Sequence, residues 1–162
     1  MENNQKQNSL EKILWSIAFP GFGQLLNGRM IKGIILIILE VIINLQSNFN
    51  KAILYSFYGE IDQAITITNY QWLMFYPCIY LFAIWDAYKD SGGGQSPFEF
   101  IPFVTSAYFV TVGLIYSSTL EIFGILMGPI WLPILFVGVG GVTIGLIVRK
   151  ILIMLFIKSK GT

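Results

Sequence analysis

Glu40, Asn44 and Asn48 recur at four-residue spacing in or beside the apolar run Ile31 to Phe49. That spacing puts them on one face of a helix, with Lys51 nearly in register. A carboxylate at the centre of a bilayer costs about 2.5–3.5 kcal/mol on insertion scales, so Glu40 is expected to face protein or water. Such a face could carry an ion or a proton. It could equally tie its helix to neighbours through hydrogen bonds. A lone intramembrane carboxylate makes a thin relay, so the tie is the preferred reading.

A second group joins distant parts of the chain. Asp86 ends one apolar run, while Arg29 and Lys32 stand at the start of an earlier one. If those ends share a side of the membrane, Asp86 pairs with Arg29 or Lys32 and pins the intervening glycine turn, a structural rather than a catalytic role. A third group is small. Gly124-x-x-x-Gly128 and Gly141-x-x-x-Gly145, with Gly138 one turn before the latter, let helices approach closely. They are expected to mediate packing within the chain or between copies.

Enzyme chemistry lacks its usual residues. The sequence holds no histidine, and its single cysteine, Cys78, lies in an apolar run beside Pro77. Intramembrane metalloproteases and histidine-dependent serine nucleophiles are thereby excluded. The triple glycine in Asp90-Ser-Gly-Gly-Gly-Gln-Ser-Pro97 lacks the Lys and Ser/Thr of a phosphate loop and reads as a linker. Net charge is +1, and no basic aromatic patch suggests nucleic acid. No catalytic residue, metal or cofactor is expected.

The elements that must position these groups are set by composition. Of 162 residues, 55% are hydrophobic and 12% charged, and mean hydropathy is +0.69. A soluble domain carries about 25% charged residues. The apolar residues lie in long runs, so a bilayer is their expected solvent. The expected fold is an all-α integral membrane protein with about four transmembrane helices and an N-terminal re-entrant or short hairpin helix. Residues 1–12 form a polar cytoplasmic tail, frayed over Met1 to Leu10, and residues 13–162 a single membrane domain.

Ile13 to Leu26 is apolar for only about 14 residues, against roughly 20 for a span, and Pro20, Gly21 and Gly23 interrupt it. It lacks a signal-peptide pattern and is expected to re-enter. Spans follow at Ile31 to Phe49, Tyr70 to Tyr88, Phe98 to Ser117 and, after a bent start, Pro133 to Val148. Asn50 to Asn69 is expected as an amphipathic surface helix. Arg149 to Lys158 either continues the last helix or lies in the interface. With both termini cytoplasmic, Lys6, Lys12, Arg29, Lys32, Lys89, Arg149, Lys150, Lys158 and Lys160 fall inside and only Lys51 falls outside. A full N-terminal span would lower that bias, so the re-entrant topology in the plasma membrane is adopted.

Gly21-Phe-Gly23, Gly28-Arg29 with Gly33, and Ile84-Trp-Asp86 together resemble the two-helix transmembrane domain family of beta-amyloid-binding-protein-like proteins. The resemblance covers residues 20–33 and 84–86, with the aspartate on a later span than in the family, and it implies no catalytic chemistry. The expected function is that of a non-enzymatic accessory or assembly subunit, packing against itself or another membrane protein in the bilayer. The alternative is a small ion or solute transporter or channel subunit using the Glu40 face.

Overall fold

The computed structural model describes residues 2–160, with side chains described for residues 10–157. Met1, Gly161 and Thr162 lie outside the described residues, as do the side chains of Lys6, Lys158 and Lys160. The chain is mostly helical. Helix α1 runs Glu2–Ala18 and α2 runs Phe22–Leu26, with α3 at Met30–Ser47. Short helices α4 (Phe49–Phe57), α5 (Ile61–Ile67) and α6 (Tyr70–Leu73) follow, then α7 (Tyr76–Asp90) and α8 (Ile101–Tyr116). Strands β1 (Glu121–Ile122) and β2 (Ile125–Leu126) precede α9 (Gly128–Phe136), a π segment (Val137–Val142) and α10 (Thr143–Lys160).

Helix boundaries follow local chemistry. Pro20 ends α1 two residues after Ala18, since proline cannot donate to the next turn. Gly28 takes φ +73° and reverses the chain into α3. At the far end Asn48 adopts the left-handed conformation at φ 56°, which asparagine tolerates better than other side chains, and its Nδ2 donates to the Ile67 carbonyl at 3.2 Å. Pro77, Pro102 and Pro129 sit in the first positions of α7, α8 and α9, where a missing N–H leaves nothing unpaired.

Among the described residues, two helices are long and apolar enough to cross a membrane: α3, with 18 residues, and Gly128–Ile157, with 30. At 1.5 Å per residue the latter is about 45 Å long. Helix α8 is apolar but has only 16 residues. On α3 the buried positions are Gly33, Leu36, Glu40, Ile43 and Ser47, spaced by three and four residues as one helical face requires. Its other side exposes Ile31, Ile34, Ile38, Val41 and Leu45.

The helix α8 is the hub of the C-terminal half, packing on α7, α9, the π segment and α10. Gly113 allows this: a Cβ there would lie 2.9 Å from the Cα of Pro133. Helices α4 and α5 form a small hairpin with Ala52 and Ala64 fully buried. The indole of Trp131 reaches it, donating to the Ser56 carbonyl at 3.2 Å.

Several expectations are corrected. Residues 2–10 are not frayed but belong to α1, whose apolar second half docks on α7. Asn50 to Asn69 is two helices folded back on α9, because Gly59 at φ +79° turns the chain between them. The last long apolar helical stretch starts at Gly128 rather than Pro133 and runs on through the π segment into α10, which contains Arg149. Gly124 packs no helix. With Phe123 it makes the two-residue loop of a hairpin pairing Glu121 with Leu126, and both loop residues take positive φ, as a type I′ turn demands.

Candidate functional site

The polar centre of the molecule lies where the α1–α2 hairpin is pressed between α3 and α7. Glycines permit the approach. A Cβ on Gly21 would lie 2.6 Å from the Gly33 carbonyl oxygen, and one on Gly23 would lie 2.6 Å from that of Lys12 and 2.7 Å from the Ala87 Cβ. Gly21 also has φ +102°, a conformation that only glycine adopts without strain. The turn is therefore built from positions where no side chain fits.

Into this crevice projects Gln24, fully buried. Its Nε2 donates to the Ala83 carbonyl at 2.8 Å and to Asp86 Oδ2 at 3.1 Å. One turn on, Asn27 Nδ2 donates to the Ala87 carbonyl at 2.8 Å. These carbonyls lie in the C-terminal half of α7, that of Ala87 already accepting from the Ser91 N–H at 3.1 Å, so the amides use second lone pairs. Ser16 Oγ, Gln24 Oε1 and Asn27 Oδ1 are buried with no partner among the described residues. Tyr80 adds a bond from its hydroxyl to the Ile17 carbonyl at 2.5 Å.

The charged edge of the site lies beside it. Lys32 Nζ stands 2.8 Å from Asp86 Oδ1 and 3.3 Å from Asp90 Oδ2. Arg29 Nε stands 3.3 Å from Asp90 Oδ2. Of the two candidate partners for Asp86, the structure places Lys32 against it; Arg29 instead meets Asp90, one helical turn further along the same face of α7. The carboxylates are 13% and 16% exposed, the cations 60% and 50%. Each such exposed pair contributes about 0.2–1 kcal/mol.

Farther along α3, Glu40 is 6% exposed and lies beside Tyr76 of α7, while its Oε2 is buried with no partner among the described residues. The expected continuation of a polar face through Asn44 and Asn48 is not a track. Asn44 Nδ2 donates to Asn50 Oδ1 at 3.0 Å, and Asn48 turns away to cap α3 against α5. The helix ends at Ser47, so Asn48 leaves the face that Glu40 occupies.

The glycine positions divide. A Cβ on Gly141 would lie 2.5 Å from the Ser106 Cα, and one on Gly145 would lie 2.6 Å from the Pro102 Cα. Both are packed against α8, and Thr105 Oγ1 donates to the Gly141 carbonyl at 2.8 Å. A Cβ on Gly128 would lie 2.9 Å from the Ile61 Cγ2. A Cβ on Gly138 would meet nothing within 4 Å, so this glycine serves no close helix approach. Gly140, by contrast, lies against the Phe109 ring.

Sequence reasoning passed over Gln24, Asn27, Asp90 and Tyr76. A glutamine between Gly23 and two leucines, at the apex of a glycine-broken run, is a signal for Gln24: an amide there needs a buried partner. Among the described residues no group of three or more His, Cys, Asp and Glu converges to hold a metal. The arrangement can fix three segments to one another and neutralise four charges; it presents no nucleophile paired with a base. Compared with known proteins, the chain matches no family model, no curated protein and no solved structure.

Proposed function

We propose that this chain is a small multi-pass protein of the plasma membrane, acting as a non-enzymatic accessory or assembly subunit through helix packing. Four passes are made by α3, α6–α7, α8 and α9–α10, with α1–α2 dipping into the cytoplasmic leaflet. The antiparallel course of α3 and α7, from Lys32 beside Asp86 to Glu40 beside Tyr76, fits alternate crossings. The Arg149–Glu99 pair at 3.5 Å puts the α8 start and the α10 stem at a common level. Gly21 reaches only Ile37, five residues beyond Lys32 and so about 8 Å deep, as a re-entrant turn would. The observation that carries the reading is the contrast between the internally neutralised polar site and the apolar outer faces. What such a protein offers to others is helix surface.

Two measurements test this. Reporters fused at Thr162 and within residues 50–69 are expected to read cytoplasmic and external, respectively; a cytoplasmic loop reporter inverts the topology. Purification in mild detergent is expected to retain a stoichiometric partner, either another membrane protein or a second copy. A protein that purifies as a monomer without a partner removes the accessory role.

A transporter or channel subunit is the second reading, favoured by the unpartnered Oε2 of buried Glu40. Glu40→Gln keeps the shape and a hydrogen-bonding group, and is expected to cost no more than one net hydrogen bond, about 1 kcal/mol. If that variant folds normally but abolishes ion flux in proteoliposomes, the second reading replaces the first.

A further inference from the structure

A groove of about 700 Å³ runs between α3 and α7, walled by Ile35, Leu36, Leu39, Ile79 and Phe82 and ending at Lys32 and Asp86. We infer that it holds one aminophospholipid, its acyl chain along the apolar walls and its phosphate and primary ammonium on the charges at the mouth. The inference rests on the membrane topology proposed above, though not on the accessory role.

Dimensions agree first. From Lys32 to Leu39 the groove is about 10 Å long, against about 15 Å for one leaflet of a 30 Å hydrocarbon core. Ile35 and Phe82 are exposed on its walls while Leu36 is buried at its floor. The groove is thus open to the side, where acyl chains are the surrounding solvent, and its charged end stands at headgroup level.

Charge chooses the headgroup. The mouth is lined by Lys32 and Asp86, and Asp90, 3.3 Å from Lys32, adjoins it with its own partner Arg29, so the four charges there sum to zero. The cations are the exposed partners, so a phosphodiester can reach both without displacing an acid. An anionic lipid would add unbalanced negative charge beside Asp86 and Asp90. A zwitterion brings both signs. Its ammonium must hydrogen-bond a carboxylate to gain from the second, and a primary ammonium has three N–H donors where a trimethylated one has none. Phosphatidylethanolamine meets each requirement.

The experiment uses the full chain purified in mild detergent. It is offered phosphatidylethanolamine, phosphatidylcholine and phosphatidylglycerol of identical acyl chains in equal amounts, and retained lipid is identified by native mass spectrometry. Retention of phosphatidylethanolamine over either competitor by about fivefold or more is expected. Lys32→Gln should bring it down to the phosphatidylcholine level. Leu39→Trp fills the groove away from the charges and should lower retention of all three lipids, with the melting temperature of lipid-free protein unchanged. Equal retention by the native protein, a preference for phosphatidylglycerol, or an ethanolamine preference that survives both substitutions would overturn the inference. Carbonate extraction of native membranes separates its failure from that of the topology: a protein released without detergent refutes the membrane reading itself.

Discussion

The N-terminal hairpin and the C-terminal helix pair both press glycines against a neighbouring backbone, yet they are held by different means. At the hairpin, Gly21 and Gly23 clear space for side-chain amides that reach backbone carbonyls and a carboxylate of α7. At the α8 seam, Gly141 and Gly145 bring two helices into contact with one cross-helix bond, from Thr105. The first is a polar lock whose geometry is specified by directional bonds. The second is a close-packed seam of small residues, where dispersion dominates. A bent, broken segment needs the lock, because its backbone has no regular helix to satisfy it.

The comparison can be broken most severely at Gly23. Gly23→Val places branched carbons against Ser16, the Lys12 carbonyl and Ala87 at once, and it should cost about 3 kcal/mol or more. Thermal unfolding in detergent would show it, together with new proteolysis near Pro20; a native melt would mean that the hairpin is not wedged as described. Next comes a paired substitution. Gln24→Leu strips the lock of two bonds and should cost about 1–3 kcal/mol, while Thr105→Val, nearly isosteric, should cost only about 0.6 kcal/mol. Equal losses would erase the distinction between lock and seam. The smallest effect belongs to Gly138→Ala. With open space around it, this change should fall between neutral and a gain of about 1 kcal/mol, and a clear loss would show that Gly138 faces a neighbour after all.

How far the sequence disclosed this arrangement depended on the kind of signal. The α3 run was legible because its apolar residues are continuous and its start is marked by Gly28-Arg29. So was the meeting of Asp86 with a cation, since opposite charges at matching ends of two runs have few other partners in lipid. Gln24 was not. A single amide in an apolar stretch has no periodicity, and its importance appears only when α7 supplies the carbonyls it meets. The helical state of residues 2–10 was hidden by their polarity, because docking of the following apolar turns stabilises α1 more than its own propensity does. Spacing misled at Gly124, Gly128 and Gly138. Four-residue intervals between glycines imply a shared face only on a regular helix, and here one pair spans a hairpin turn while Gly138 sits in a π segment.

That π segment has a geometric consequence for the whole C-terminal helix. Each residue of an α-helix turns the chain by about 100°. Counted from Pro133, which faces Gly113 of α8, Gly141 would point about 80° away and Gly145 about 120° away in an unbroken α-helix. Both nevertheless face α8. A π turn takes up one additional residue, and subtracting its 100° leaves both within about 20° of the Pro133 direction. The helix therefore carries one residue more than its contact with α8 needs, stored in the wide turn at Val137–Val142. Loss of a residue there would return a regular helix with its seam intact; gain of one would rotate everything beyond it away from α8.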